Sequence, residues 1–415
     1  MIDSTWTRQQ VQDLLQKEQF RYHRIELPHG LATEGRDRSG TARLIFPEDL
    51  TGKTVLDLGC AEGYFSFEAK KRGASRVVGL DVETDVIRRN RLLADCLNLD
   101  VEFGVINLER EKLSEKFDYV LCLNVLHHLT DPLSVLENLT EVARECLVLE
   151  MAALGAHDRR RLGTFPIWGY LMSKAPVIYV SGRATRARKL KKYFFTKGAI
   201  RNILYHHRRI YADVQLKPSD HKDRFVVLAE RRNIDHLVVV AGPAASGMTD
   251  FAKELSSGGH SEVAKQIGVN GKAVYLDTEN PSSHGEARID TAVISYDILR
   301  AYMRTGSVYE RDELLDVLTC AKKVSVVTLW RDPNALRAAF EKIGYNKFIV
   351  KWQSKRQRRI MASYSDDLQI ISHYDRWLGY LESAGFQPNV LMMDEKPVKL
   401  VPSKVWRSRV MGASK

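Results

Sequence analysis

At 415 residues the chain is too long for one ordinary core, and about 150 residues per domain predicts two or three. A composition of 44% hydrophobic and 28% charged residues is that of a globular protein. No apolar run nears the roughly 20 residues of a bilayer span, and Met1-Ile-Asp-Ser-Thr-Trp6 has no basic start or apolar stretch, so a cytoplasmic location without a transmembrane segment is expected.

The first apolar period lies over 5–20, where Trp6, Val11, Leu14 and Leu15 predict a short amphipathic helix. Ile25-Glu-Leu27 and Leu31-Ala-Thr33 flank Pro28-His-Gly30 as a small hairpin or turn. From Thr54 strands and helices alternate. Strands are expected at 55–58, 77–80, 101–106, 117–123 and 146–150, with helices at 65–72, 85–97 and 133–143. That alternation predicts an α/β, Rossmann-like domain with a parallel sheet. It breaks at about 151–210 and resumes at 211–215 and 224–230, a closing strand pair. The break reads as an insertion over the carboxyl edge of the sheet, where ligands bind in such folds. A polar junction at 231–236 ends domain 1–235. Leu237-Val-Val-Val-Ala241, a Gly-containing turn and a helix over 249–255 then open a second α/β domain, 236–415.

The net charge of +11 is uneven. Residues 1–150 hold 19 Lys/Arg against 26 Asp/Glu, whereas 151–235 hold 19 against six. Between Arg183 and Arg209 there are ten basic residues and no acid. Such a block suits nucleic acid, another polyanion or an acidic membrane surface, and equally a solvated helix face. The five cysteines (Cys60, Cys96, Cys122, Cys146, Cys320) are scattered without a C-x-x-C pair, so reduced thiols and no metal site are expected.

The chemistry centres on Gly59-Cys-Ala-Glu-Gly63, a tight turn between a strand and a helix start. The turn is shorter than the G-x-G-x-x-G of pyrophosphate-bearing nucleotides and has Ala61 at its middle, which suits a ligand without phosphate such as S-adenosylmethionine (SAM). Asp81 ends the second strand, 24 residues after Asp57, where a carboxylate can accept both ribose hydroxyls. Asn107, after the third strand, lies where an amide can meet the adenine edge.

Val55-Leu-Asp-Leu-Gly-Cys-Ala-Glu-Gly-Tyr-Phe-Ser66, Val78-Gly-Leu-Asp81 and Leu123-Asn-Val-Leu-His-His-Leu-Thr-Asp-Pro132 resemble class I SAM-dependent methyltransferase motifs, in that family's order. Tyr22-His-Arg-Ile-Glu-Leu27 and Gly30-Leu-Ala-Thr-Glu-Gly35 resemble the lead-in of a subgroup that includes tRNA wobble-uridine modifying enzymes. The resemblance covers about 20–150 and the closing strands at 211–230. It implies SAM as cofactor, with Asp57, Gly59 and Gly63 around the methionine part, Asp81 on the ribose and Asn107 near adenine. Ala61 stands where the family more often has glycine, and a small residue still fits. Some relatives in the tRNA subgroup use a carboxylated SAM, which would need a basic pocket near the methyl; the sequence assigns no residue to one.

Methyl transfer from a sulfonium needs alignment and exclusion of water, and a base only where the acceptor must lose a proton. Asn124, His127 and His128 lie just past the fourth strand. Either histidine is a candidate base or orienting group, against the plainer role of structural loop residues. Tyr22 and His23 are outer candidates for the acceptor pocket, against packing of an N-terminal lid.

In the second domain Gly242-Pro-Ala-Ala-Ser-Gly-Met-Thr249 has the frame of a phosphate-binding P-loop, G-x-x-x-x-G-K-[ST], with Met248 in place of its lysine. Gly242, Ser246, Gly247 and Thr249 are the phosphate-binding candidates, so a nucleotide is a second expected ligand. Asp297 is read as a metal-associated carboxylate or a helix cap. Lys351, Lys355, Arg356, Arg358 and Arg359 are read as a phosphate-facing lid or a solvated helix. The segment 237–415 resembles the P-loop kinase and sulfotransferase superfamily in outline. An active transferase with another cation, a nucleotide sensor and a structural or dimerisation module are all open, the last two together favoured.

The leading expectation is a methyltransferase acting on a small molecule or glycan. The alternatives are an RNA methyltransferase docking through 183–209 and a SAM-binding sensor without turnover. The oligomeric state is open.

Overall fold

The computed structural model describes residues 5–153, 175–180, 193–204, 210–221, 223–277, 286–299, 317–342, 364 and 366–412. The chain divides into two compact units, the first ending at Arg231 and the second running from Arg232 and also taking in Ile210.

The first unit opens with α1 (Arg8–Glu18), whose Thr7–Gln10 capping box satisfies the first amides of the helix. It buries Val11 and Leu14. An isolated antiparallel bridge joins Glu26 to Ala32 across Pro28–Gly30, the turn read there. After α2 (Ser39–Ile45) the alternation begins. Its elements are β1 (Thr54–Leu58), α3 (Tyr64–Lys71), β2 (Arg76–Asp81), α4 (Thr84–Leu97), β3 (Glu102–Val105), β4 (Phe117–Leu123), α5 (Pro132–Val142) and β5 (Ala143–Ala152). The hairpin β6 (Ile178–Val180) with β7 (Tyr193–Phe195) and the helix α6 (Lys197–Asn202) follow. They precede β8 (Tyr211–Pro218) and β9 (Arg224–Arg231).

The main sheet runs β3-β2-β1-β4-β5-β9-β8. β1 through β5 pair parallel, and β9 pairs antiparallel with both β5 and β8, so 211–231 closes the sheet as a hairpin. Strands that cross over through helices are covered on both faces, which is why Val55, Val120, Leu121, Leu147 and Val148 are all buried. The strand order reverses between β1 and β4. Parallel α/β sheets open a crevice beyond their carboxyl ends at such a point, because the loops leave toward opposite faces.

The insertion contributes to the core as well as to the surface. Phe194, Phe195, Ala199, Ile200 and Leu204 are buried. The Tyr193 hydroxyl donates to the Thr130 carbonyl at 3.1 Å, which ties the hairpin to the loop beyond β4. Most of the basic stretch, 181–192 and 205–209 with Tyr205, lies outside the described residues.

The second unit is a sheet of β10 (Asn233–Gly242), β11 (Val274–Tyr275), β12 (Arg288–Asp297), β13 (Ala321–Trp330), β14 (Asn389–Met392) and β15 (Lys399–Pro402), in the order β11-β12-β10-β13-β14-β15. All pairs are parallel except β14 with β15. The expected polar junction at 231–236 is corrected here. From Asn233 the chain is already strand, paired to Arg288 in register, with Ile234 and His236 buried. Polar residues alternating with apolar ones there mark a strand entering the sheet at its less covered end. The helix α7 (Met248–Ser256) follows the glycine turn. Trp377 and Trp406 anchor a fully buried aromatic cluster, with the Trp377 indole N–H on the Thr328 hydroxyl at 3.0 Å.

Candidate functional site

The turn after β1 is built by left-handed backbone. Gly59 has φ +68°, and a Cβ there would sit 2.3 Å from Val125 Cγ2, so only glycine lets the turn close under the loop beyond β4. The amides of Gly59 and Cys60 both donate to the Leu80 carbonyl, at 2.8 and 3.1 Å, which pins the turn to β2. Ala61 itself is left-handed at φ +48°, a conformation that favours glycine and explains the commoner residue in the resembling family. Gly63, at φ +73°, is the N-cap residue of α3.

Asp81 closes β2 beside this turn. Its Oδ2 accepts from the Ala61 amide at 3.1 Å and its Oδ1 from the Glu83 amide at 3.1 Å. The half-buried carboxylate is therefore held at the lip of the turn with acceptor capacity to spare. Asn107, beyond β3, uses its side-chain oxygen to cap its own turn, accepting from the Glu109 amide at 3.0 Å. Beyond β4, Asn124 is left-handed at φ +66°, and its amide donates to the Glu150 carbonyl at 2.8 Å. The Asn124 Oδ1 is buried without a hydrogen-bond partner, an acceptor that a bound donor would satisfy. Gly59, Ala61, Gly63, Asp81, Asn107 and Asn124 thus all lie on the loops at the carboxyl edge, around the point where the strand order reverses.

Asp57 is placed differently from the expected border of the methionine part. It is 1% exposed and accepts from the Ser66 hydroxyl at 2.7 Å, so it stands behind the turn and joins β1 to α3. Burial, reinforced by the nearby Asp81 charge, pushes its carboxyl up to about 6. His127 is likewise inside, 1% exposed, with its ring 4.0 Å from that of the half-buried His128. Of the two histidines, His128 is the one with open surface.

Two buried carboxylates missed in the sequence organise the surroundings. Glu62, within the glycine turn, accepts from three successive amides, Arg21 at 2.9 Å, Tyr22 at 3.0 Å and His23 at 2.9 Å. Glu150, near the end of β5, is 1% exposed and takes Arg38 at 2.8 Å, Arg224 at 3.1 Å and the Ser219 hydroxyl at 2.5 Å. A glutamate in a glycine loop and another at a strand end are ordinary in sequence; only chain segments 39 to 112 positions away give them their partners.

These contacts frame a cavity of about 290 Å³ lined by Arg21, Arg36, Arg38 and Arg224, with Tyr22, His23 and His221. Tyr22 and His23, the outer acceptor-pocket candidates, are both on its wall. Burial and the Arg38 and Arg224 charges push the His23 imidazole down to about 3. It is therefore neutral at physiological pH and acts as a hydrogen-bonding group. Burial, with Arg224 and Arg36, also holds His221 below the usual histidine range.

In the second unit the glycine turn follows β10. Ala245 and Gly247 are left-handed, at φ +70° and +87°, and Gly247 is the N-cap residue of α7. Ser246 is fully buried, and its hydroxyl has no partner. The Thr249 hydroxyl lies 3.5 Å from that of Ser295. Asp297 ends β12 in register with Gly242, and its Oδ1 accepts from the Leu299 amide at 3.0 Å, a local cap. The Lys351–Arg359 cluster lies outside the described residues. Among the described residues no group of three or more His, Cys, Asp or Glu is placed to hold a metal, and no helix is long and apolar enough to cross a membrane.

Residues 49–159 match a family model described as a methyltransferase domain. The chain is 36% identical over 92 residues to the tRNA U34 carboxymethyltransferase of Campylobacter hominis, which is 22% of this chain and 32% of that protein. It is 28% identical over 131 residues to the ubiquinone biosynthesis O-methyltransferase of Neisseria meningitidis, 31% of this chain and 55% of that one. The chain thus spans about a third to a little over half the length of these curated relatives. Among solved structures, magnesium protoporphyrin IX methyltransferase from Synechocystis with bound SAH aligns at a TM-score of 0.33 and 23% identity, covering 44% of this chain and 75% of that one. The N-terminal unit, with its matched segment and its sheet order reversing at the glycine turn, carries a SAM-dependent methyltransferase domain of the class I, Rossmann-like kind.

Proposed function

We propose that the N-terminal unit binds SAM across the Gly59–Gly63 turn and methylates a small-molecule or glycan acceptor over the carboxyl edge of its sheet. The observation that carries this is the lock between Asp81 and the Ala61 amide, which sets a ribose-directed carboxylate at the lip of a phosphate-free turn. Beyond β4, the orphaned Asn124 Oδ1 offers an acceptor to a ligand's N–H or O–H donor. The glycine turn, Asp81, Asn107 and Asn124 would hold the cofactor, which supplies a methyl on a positively charged sulfur when bound. The chain's own residues then have to orient the acceptor and keep water out. His128, the more exposed of the pair, would orient the acceptor or take its proton, with His127 packed against it.

The relatives named tRNA U34 carboxymethyltransferase support a second reading, an RNA acceptor. Against it, Phe194 and Phe195 of the basic block are core residues and cannot stack on bases. The second unit is read as a P-loop-like domain. Its glycine turn follows the central strand of a parallel sheet and opens α7, as the resemblance implies, and without the lysine it serves nucleotide sensing or a structural role.

The deciding experiment offers the purified chain methyl-labelled SAM with, separately, the RNA and the low-molecular-weight fractions of a cell extract. Label is expected in the small or glycan fraction, and label in RNA would replace that reading with the second. Bound SAM with no label transferred to either fraction would point to a sensor.

A further inference from the structure

The cationic cavity beside the glycine turn is larger in charge than its carboxylates account for. Glu150 takes one nitrogen from Arg38 and one from Arg224. Arg36 makes no ion pair among the described residues, and Arg21 approaches only Glu34, at 3.9 Å with both side chains mostly exposed. Arg38 is 4% exposed, yet its Nε has no partner; His23 is 5% exposed, yet its Nδ1 has none. Buried nitrogens without partners are costly, and converging guanidinium groups repel one another, so both features are relieved by an anion that accepts from them.

The walls of this cavity are fixed to the loops read above as the cofactor site. Glu62 of the glycine turn holds the backbone of Arg21, Tyr22 and His23. Glu150 holds two of the arginines, while its own carbonyl receives the Asn124 amide. On the far side the Thr41 hydroxyl donates to Asp220 at 3.0 Å, joining the lead-in to the turn between β8 and β9, which runs into Arg224 at the start of β9. The anion site therefore adjoins the reactive edge without being part of the SAM turn.

We infer that this cavity is a subsite for one anionic group, a phosphate or carboxylate, carried by a small acceptor molecule. The inference rests on the methyltransferase reading and adds the acceptor's charge to it. Guanidinium groups form paired hydrogen bonds with such oxygens, which lysine does not. At about 290 Å³ the space is that of a small-molecule site. Its cations converge on one concavity, whereas a nucleic-acid surface spreads them along a backbone track. The acceptor would be anchored by its anion and present its nucleophile toward Asn124 and His128.

The test titrates the full chain with inorganic phosphate in the presence of saturating SAH and follows binding by calorimetry. Arg21 and Arg36 are exposed, and their contacts with Glu62 and Tyr22 are made by backbone amides that substitution leaves in place, so the double variant Arg21→Gln/Arg36→Gln should keep the fold. It should weaken phosphate binding about tenfold or more, the loss of one or two charge-assisted hydrogen bonds, with SAH affinity within about twofold of wild type. Arg38→Lys, which keeps the charge facing Glu150 but removes Nε, should weaken phosphate as well. Phosphate affinity unchanged in the double variant, or no phosphate binding by the SAH-loaded wild type, overturns the inference and leaves the methyltransferase reading standing. Failure of the wild type to bind SAH sinks that reading itself. A short single-stranded RNA that displaces phosphate far below the phosphate concentration needed to fill the site would assign the cavity to an RNA backbone and overturn the small acceptor.

Discussion

Replacing Glu62 is the sharpest probe of how the glycine turn and the wall of the cationic cavity are coupled. Its carboxylate, on a residue 7% exposed, collects three consecutive amides of the lead-in segment at 2.9 to 3.0 Å. Hydrogen bonds to a charged acceptor contribute about 1.5–3 kcal/mol each. Arg21 and Tyr22 are exposed, so water would replace the acceptor for their amides, whereas the buried His23 amide would be stranded. Glu62→Ala should therefore cost about 3–5 kcal/mol. Glu62→Gln keeps one oxygen but turns an NH2 toward donors, and should cost about 2–3 kcal/mol. Urea unfolding of the wild type and both variants measures the cost. Hydrogen exchange at the amides of 21–23 should accelerate in both variants, because these amides lose protection before the sheet does. Glu62→Gln within about 0.5 kcal/mol of wild type, with unchanged exchange at those amides, would refute the idea that the turn holds the lead-in in place.

Asp57 gives a pH signature. Its folded-state carboxyl titrates near 6 instead of near 4, so the folded protein binds that proton more tightly, and the benefit is lost as pH rises through 6. Two units correspond to about 3 kcal/mol, so Asp57→Asn should gain about that much relative to wild type between pH 4 and pH 7, read from urea midpoints; a constant difference would contradict the burial argument. Gly59→Ala should cost about 2–4 kcal/mol in thermal unfolding through its contact with Val125 and its positive φ, whereas Ala61→Gly should be neutral or stabilising by up to about 1 kcal/mol. Glu150→Gln leaves the buried Arg38 and the partly buried Arg224 uncompensated and should destabilise the unit by about 3–5 kcal/mol; Glu150→Gln together with Arg224→Gln should recover part of that loss in the same assay.

The order of strands and helices from Val55 to Glu150 was legible because its causes are local. Strands buried on both faces read as apolar runs, and the helices between them carry a 3.6-residue period. The Gly59–Gly63 turn and Asp81 were legible for the same reason, since a tight turn at the end of a strand needs its residue types in sequence. The extent of β10 was not, because Asn233 and Asp235 look like linker until β12 and β13 supply ladder partners on either side. The interior positions of Asp57 and His127 were equally hidden. A residue beside a motif can face the ligand or the core, and only tertiary packing selects between them, for Asp57 through the Ser66 hydroxyl of α3.

By itself the sequence determined the fold class, the glycine turn after β1 and the presence of a second α/β unit, all of them consequences of local periodicity and turn chemistry. Tertiary structure alone decided the cavity beside that turn. The cationic cavity draws its arginines from 21–38 and from 224, and its organising glutamates from 62 and 150. Those residues carry no shared spacing, because what gathers them is the closing of a sheet whose last hairpin returns beside β5 and brings Arg224 to the lead-in.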